Sequence, residues 1–162
     1  TFSHDQVPVP KPFLNLDNRN LLFDRGIPEP VSGIFAQGMD FFQYMMDQVG
    51  QKEYYGVPIR KVGPPPLCTE GQLTTALCLF ETDEFLILLK TEPEWAKGFL
   101  EFLHEGTVQR INCLRRELGD DTAVLSGVLY DDDVELISVA DYIEFVLPLH
   151  RRYMNEVFGA GA

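Results

Sequence analysis

Three consecutive aspartates, Asp131, Asp132 and Asp133, stand between an apolar run, Thr122 to Leu129, and a helix that opens at Ser138. Like charges in a row repel one another and are costly to desolvate. Their position after a strand therefore reads in two ways. They form a solvated loop closing on Ser138, or they line a polar site on the rim of a sheet, where the C-terminal edges of strands in α/β proteins gather ligands. In the second reading Asp132 is the candidate catalytic acid or base, and Asp131 and Asp133 are candidate substrate-binding groups. Carboxylates so placed orient a cationic or hydroxylated substrate, ligate an ion or pass protons. Gln72 and Thr74 are further candidate substrate contacts, with a helix cap as the equal alternative for Thr74. His150 and the cysteines Cys68, Cys78 and Cys113 show no metal-ligand spacing, so no metal is assigned. Cys78, inside the apolar run Thr75 to Phe80, reads as a small buried hydrophobe. His104 reads as a solvated side chain on a helix surface.

The elements that must position these residues follow from periodicity and punctuation. Residues 1 to 32 carry Pro8, Pro10, Pro12, Pro28 and Pro30 and read as irregular, with a short helix around Asp17 to Asp24. Phe35, Met39, Phe42, Met46 and Val49 fall at helical spacing, with Gly50 as the stop. That helix, including Phe41, Tyr44 and Met45, reads as core packing or the wall of a pocket. Val57 to Val62 reads as a strand, followed by a proline-rich loop and a helix near Thr74, a βα unit. Thr91 and Glu94 form a capping box with Pro93 in the first turn. From there Trp95, Phe99, Leu103, Ile111, Leu114 and Leu118 make the apolar stripe of a long covering helix. Thr122 to Leu129 has the nearly continuous apolar character of a buried parallel strand. Ser138 and Asp141 form a second capping box, and Tyr142, Phe145, Val146, Leu149 and Tyr153 give the last helix its buried face. Pro148 interrupts that helix and is expected to kink it by removing the bond to the Glu144 carbonyl. Helices alternating with a buried strand indicate an α/β fold with parallel strands.

Composition narrows the function classes. A chain of 162 residues, 45% hydrophobic and 12% aromatic, has the profile of one globular domain, read as residues 1 to 162. The net charge of -12 argues against nucleic acid and anionic membrane as the main partners; a small-molecule substrate is expected from the resemblance described below. No run approaches the roughly 18 apolar residues of a membrane span. An odd cysteine count without framework spacing points to a reducing, cytoplasmic setting. Thr1 at the start and the Gly-Ala-Gly-Ala end read as the edges of a piece of a longer chain.

The last 100 or so residues resemble the uroporphyrinogen decarboxylase superfamily. The resemblance is carried by Gly71-Gln72-Leu73-Thr74, by Glu81 to Leu89, by Thr91-Glu92-Pro93-Glu94-Trp95, and most specifically by Leu136-Ile137-Ser138 through Tyr142-Ile143-Glu144-Phe145-Val146-Leu147-Pro148, with Val139 where the family usually has proline. It implies a (β/α)8 TIM barrel with covering helices. A whole barrel takes about 250 residues, so this chain supplies part of one, and its partner is the remaining part of the barrel or a second copy in a homodimer. The family's arginine-rich segment has no counterpart here. The resemblance also implies either decarboxylation of a porphyrinogen or methyl transfer, with zinc or corrinoid as cofactor and the ligands outside this chain. Aligned on these motifs, the decarboxylases' substrate tyrosine falls at Cys78 and their serine at Asp132. A carboxylate facing a substrate carboxylate costs several kcal/mol once both are desolvated, so the divergent methyltransferase reading is favoured over the decarboxylase. A non-catalytic barrel half that binds another chain is the alternative outside enzymes.

Overall fold

The computed structural model describes residues 11–63, 69–118 and 129–159. A short helix α1 (Leu21–Arg25) is followed by α2 (Gly33–Asp47), then by the strands β1 (Glu53–Tyr54) and β2 (Val57–Pro58). Next come β3 (Thr69–Glu70), α3 (Gln72–Leu79), α4 (Thr82–Thr91) and α5 (Pro93–Leu118). The strand β4 (Leu129–Tyr130) leads into a 3-10 turn, Asp132–Leu136, and then α6 (Val139–Asp141), a π turn (Tyr142–Val146) and α7 (Leu147–Phe158). The described residues are thus a helix-rich α/β arrangement with two small sheets. β3 and β4 pair in parallel, Thr69 with Leu129 and Glu70 with Tyr130, across a crossover of three helices. The parallel strand expected at Thr122 to Leu129 lies outside the described residues except for its last residue.

The core is where α3, α4 and α5 meet the last helix. Leu73, Ala76 and Leu77 of α3, Phe85, Leu88 and Leu89 of α4, and Ala96, Phe99 and Leu100 of α5 pack with Phe145, Val146 and Leu149. At its centre Phe99 stacks on Trp95 with ring centroids 5.2 Å apart and meets Phe80 edge-on at 5.5 Å. The N-terminal segment contributes more than its prolines suggested. Leu14 is buried and bridges to Phe80, while the N–H groups of Phe13 and Leu14 both donate to the Leu79 carbonyl. That is how an irregular segment satisfies its backbone.

Three expectations do not hold. Val57 does not open a six-residue strand: β2 turns back on β1 through Tyr55 and Gly56, both at positive φ, as a tight hairpin requires. The strand that feeds α3 is β3. No residue of α2 is buried, so its apolar spacing does not mark a core face; Phe41 and Tyr44 stack on each other in the open. Thr91 is the last residue of α4 rather than the cap of α5, and its hydroxyl donates back to the Ile87 carbonyl. Pro93 does open α5. At Pro148 the last helix departs from regular α geometry. The turn before it widens, so that the Leu147 N–H reaches back five residues to the Tyr142 carbonyl, and an α-helix with Pro148 in its first turn continues from there.

Ser138 caps the last helix as expected, but Asp141 returns its bond to the Ser138 hydroxyl rather than to the Ser138 backbone N–H, so the box is only half formed. The Asp141 N–H donates to Ser138 Oγ at 3.2 Å, the Ser138 hydroxyl donates to Asp141 Oδ2 at 2.6 Å, and Lys90 Nζ forks onto both Asp141 oxygens at 2.6 and 2.7 Å. The Lys90 ammonium, then the Ser138 hydroxyl, hold the Asp141 carboxyl below the usual carboxylate range. A carboxyl depressed on folding contributes stability above its unfolded value, about 3.9, and loses it as pH falls through the lower folded value. Lys90 is mostly exposed, which limits the pair to about 1 kcal/mol. Asp141→Asn is therefore expected to lower stability at neutral pH by that amount and to make no difference under strongly acid conditions. Urea melts of both proteins across pH check it; a deficit that persists in acid contradicts the assignment.

Candidate functional site

The parallel pair sets the site. Immediately beyond the end of β3, Gly71 caps α3; immediately beyond the end of β4 stands Asp131. Parallel register brings the two together, and the Gly71 N–H donates to the Tyr130 carbonyl. Asp131 then lies so close over Gly71 that any Cβ there would overlap its carboxylate. Glycine is required for close approach, since the backbone itself is extended (φ −69°).

Asp131 is the buried aspartate of the triplet, its side chain 3% exposed. Oδ1 accepts the Thr74 N–H at 2.8 Å, one of the unpaired donors in the first turn of α3. Oδ2 lies 2.7 Å from His150 Nε2. The other ring nitrogen, Nδ1, lies 3.3 Å from the Tyr142 hydroxyl. A carboxylate oxygen takes the proton-bearing nitrogen, so Nε2 carries the hydrogen and the bare Nδ1 accepts from Tyr142. The result is an unbroken series from the helix N–H through carboxylate and imidazole to phenol. It has the logic of a base oriented by a third group. Asp131 itself is sealed, whereas His150 is 21% exposed and Tyr142 half-buried.

The remaining candidates divide. Thr74 is not the helix cap, a place Gly71 takes; its hydroxyl accepts the Asp133 N–H at 3.2 Å and ties the 3-10 turn to α3. Asp133 is half-buried. Burial pushes the Cys78 thiol up, and the nearby Asp133 and Glu70 carboxylates push it further, so Cys78 is poorly suited to act as a thiolate. Asp132 is exposed, and among the described residues nothing bonds its side chain. Gln72, the first residue of α3, is 1% exposed, and among the described residues neither its amide nitrogen nor its oxygen has a hydrogen-bond partner. A buried amide left open costs about 1–3 kcal/mol per group, which a ligand offering a donor and an acceptor would recover.

His104 is the plainest correction. It is buried, 0% exposed, with Nε2 3.0 Å from Glu156 Oε2, and Glu156 in turn bonds Arg152, which reaches Glu101. Burial pushes the Glu156 carboxyl up, but the hydrogen bonds from His104 and Arg152 outweigh it, and the group ends below its ordinary value. This series fastens α5 to α7.

Hollows in the surface lie apart from the Asp131 series. One of about 590 Å³ runs beside Lys90, Ser138 and Asp141. Two others, of about 270 and 370 Å³, flank Arg110. Among the described residues no group of three or more His, Cys, Asp or Glu side chains is arranged to hold a metal ion, so they offer zinc no site. No helix among them is long and apolar enough to cross a membrane. Neither family models, nor curated proteins, nor solved structures give a match to this chain.

Proposed function

We propose that this chain is part of a (β/α)8 barrel enzyme of the uroporphyrinogen decarboxylase superfamily, a divergent methyl-transferring member acting on a small molecule. One observation carries the chemical part of that reading, the hydrogen-bonded series Asp131–His150–Tyr142 beyond the C-terminal end of β4. In this reading Tyr142 faces the acceptor. The phenol passes its proton to His150 Nδ1 as the phenolate oxygen takes the proton of an acceptor thiol, leaving a thiolate nucleophile and an imidazolium beside the Asp131 carboxylate. Asp131 is a positioning residue, because it touches neither acceptor nor donor. Thr74 keeps the Asp133 turn in place.

Methyl transfer is preferred to decarboxylation of a porphyrinogen on charge. Asp132 stands exposed in the position where the decarboxylases keep a serine, and Asp133 and Glu135 flank it. Two unit charges 4 Å apart repel by about 4 kcal/mol at an effective dielectric constant of 20, which penalises a polycarboxylate substrate. When bound, a corrinoid would supply the methyl group; no residue of this chain is assigned to hold it.

The test supplies the protein with methylcobalamin and mercaptoethanol, and separately with uroporphyrinogen. Methyl transfer without porphyrinogen turnover is expected, with Tyr142→Phe slowing kcat by about 10² or more, the ordinary contribution of a placed acid or base. Porphyrinogen turnover, or a Tyr142→Phe variant with unchanged kcat, contradicts the reading.

A further inference from the structure

Arg110, in the second half of α5, separates two hollows that both include its side chain and Thr75. On one side is the cavity of about 270 Å³, walled mainly by Leu22, Ile27, Pro28, Phe35, Phe102 and Leu103. On the other, a polar cleft of about 370 Å³ runs along β3 and β4, lined by Thr69, Glu70 and Tyr130. An apolar chamber with a few convergent polar groups at one end is the ordinary form of a small-molecule site.

The guanidinium is held but not used up. It carries five N–H donors, and among the described residues one of them is engaged, from Nη2 to Thr69 Oγ1 at 2.9 Å. Its central carbon lies 4.9 Å from the Phe35 ring centroid, so the aromatic face fixes the plane of the fork. No carboxylate among the described residues pairs with it. Burial pushes the guanidinium below its ordinary value, against an opposing electrostatic contribution from Tyr153. The natural complement of a planar, partly desolvated fork is a carboxylate.

Charge sets how much anion the place accepts. One cation faces the cavity, while the exposed carboxylates of Glu29 and Glu70 stand on the walls of the two hollows. Every further negative charge on a ligand is repelled by those two carboxylates, so at Arg110 a monoanion is favoured over a dianion. We propose that this protein binds a small monocarboxylic acid with an aliphatic or aromatic body, the body in the apolar cavity and the carboxylate on the free N–H groups of Arg110, with Thr75 beside it. None of Asp131, Tyr142 and His150 lines either hollow, so this proposal does not rest on the proton relay.

Isothermal titration calorimetry with hexanoate, 3-phenylpropionate, hexanamide and inorganic phosphate tests it. At least one of the two carboxylates is expected to bind, hexanamide about tenfold more weakly or worse, and phosphate not measurably, a tenfold change being about 1.4 kcal/mol. Arg110→Gln is expected to weaken carboxylate binding by about tenfold or more. Because that change can loosen α5, Gly106→Val serves as the second variant: a Cβ there points at Ile27 Cγ2 at 3.6 Å and narrows the cavity with Arg110 intact. It too should weaken binding about tenfold. No heat from either carboxylate at millimolar concentration overturns the proposal. So does amide binding as tight as the acid, phosphate binding tighter than the acid, or undiminished binding by both variants.

Discussion

Asp131→Ala is expected to destabilise the protein by about 3 kcal/mol, a large effect for a position bordered on one side by a string of charged residues. The estimate follows from what the carboxylate holds. Its removal strands the Thr74 N–H in the first turn of α3 and the His150 Nε2–H. Each buried donor left without a partner costs about 1–3 kcal/mol, and removing one member of a buried charge-assisted pair falls in the same range or above it. Asp131→Asn keeps the shape and one acceptor oxygen, so about half the loss is expected there. Urea unfolding reads both, as a fall in midpoint at constant slope. Asp132→Ala, at an exposed side chain without partners among the described residues, should lie within about 0.5 kcal/mol of the parent. If all three variants melt together, the triplet is the solvated loop that its composition also allows.

The second large effect is expected at Gly71. Alanine adds the smallest side chain, and at a helix N-cap it would by itself cost about 1 kcal/mol relative to glycine. Here its methyl group would occupy the space of the Asp131 Cβ, Cγ and Oδ2 atoms. Overpacking costs about 1–3 kcal/mol when neighbours can yield. Asp131 cannot yield freely, because moving it surrenders the Thr74 and His150 bonds together. Gly71→Ala should therefore cost about 3 kcal/mol, near the top of that range, and should disturb His150 although the two residues share no bond. Since the Asp131 Cβ is itself one of the overlapped atoms, Asp131→Ala will not relieve the clash, and the double variant should be no more stable than either single one. Unfolding of the three variants decides it; an unaffected Gly71→Ala shows that β3 and β4 do not approach as described.

What could be read in the chain was what is decided locally. Pro93 and the Ser138–Asp141 pair announce helix starts because caps depend on four adjacent residues. The apolar spacing of Phe99, Ile111 and Leu114 announces a buried face. The same kind of spacing misled in α2, since periodicity marks a face without saying whether anything covers it. His104 looked solvated among the polar residues of α5, and only the approach of α7, 52 residues on, encloses it.

The site shows the same division. An aspartate triplet beyond a strand marked the place, but which carboxylate turns inward depends on where β4 ends, and a one-residue change of register exchanges the faces. Asp131, read as a substrate contact, became the buried anchor, and Asp132 kept the exposed position. His150 was passed over because it had no metal-ligand spacing. Eight residues along a regular α-helix advance about 800°, which leaves His150 about 80° round from Tyr142. The π turn takes up an extra residue and brings His150 back over Tyr142. Pro148, read as a kink, was the available signal for that widening.

The Asp131–His150–Tyr142 series turns on one proton. Nitrogen NMR of the His150 ring, assigned by comparison with His150→Gln, reports which ring nitrogen carries the hydrogen. The structure predicts a proton fixed on Nε2, facing Asp131, with a bare Nδ1 accepting from Tyr142, and release of that preference in Asp131→Ala. A proton on Nδ1, or free exchange between the two nitrogens in the unaltered protein, would contradict it.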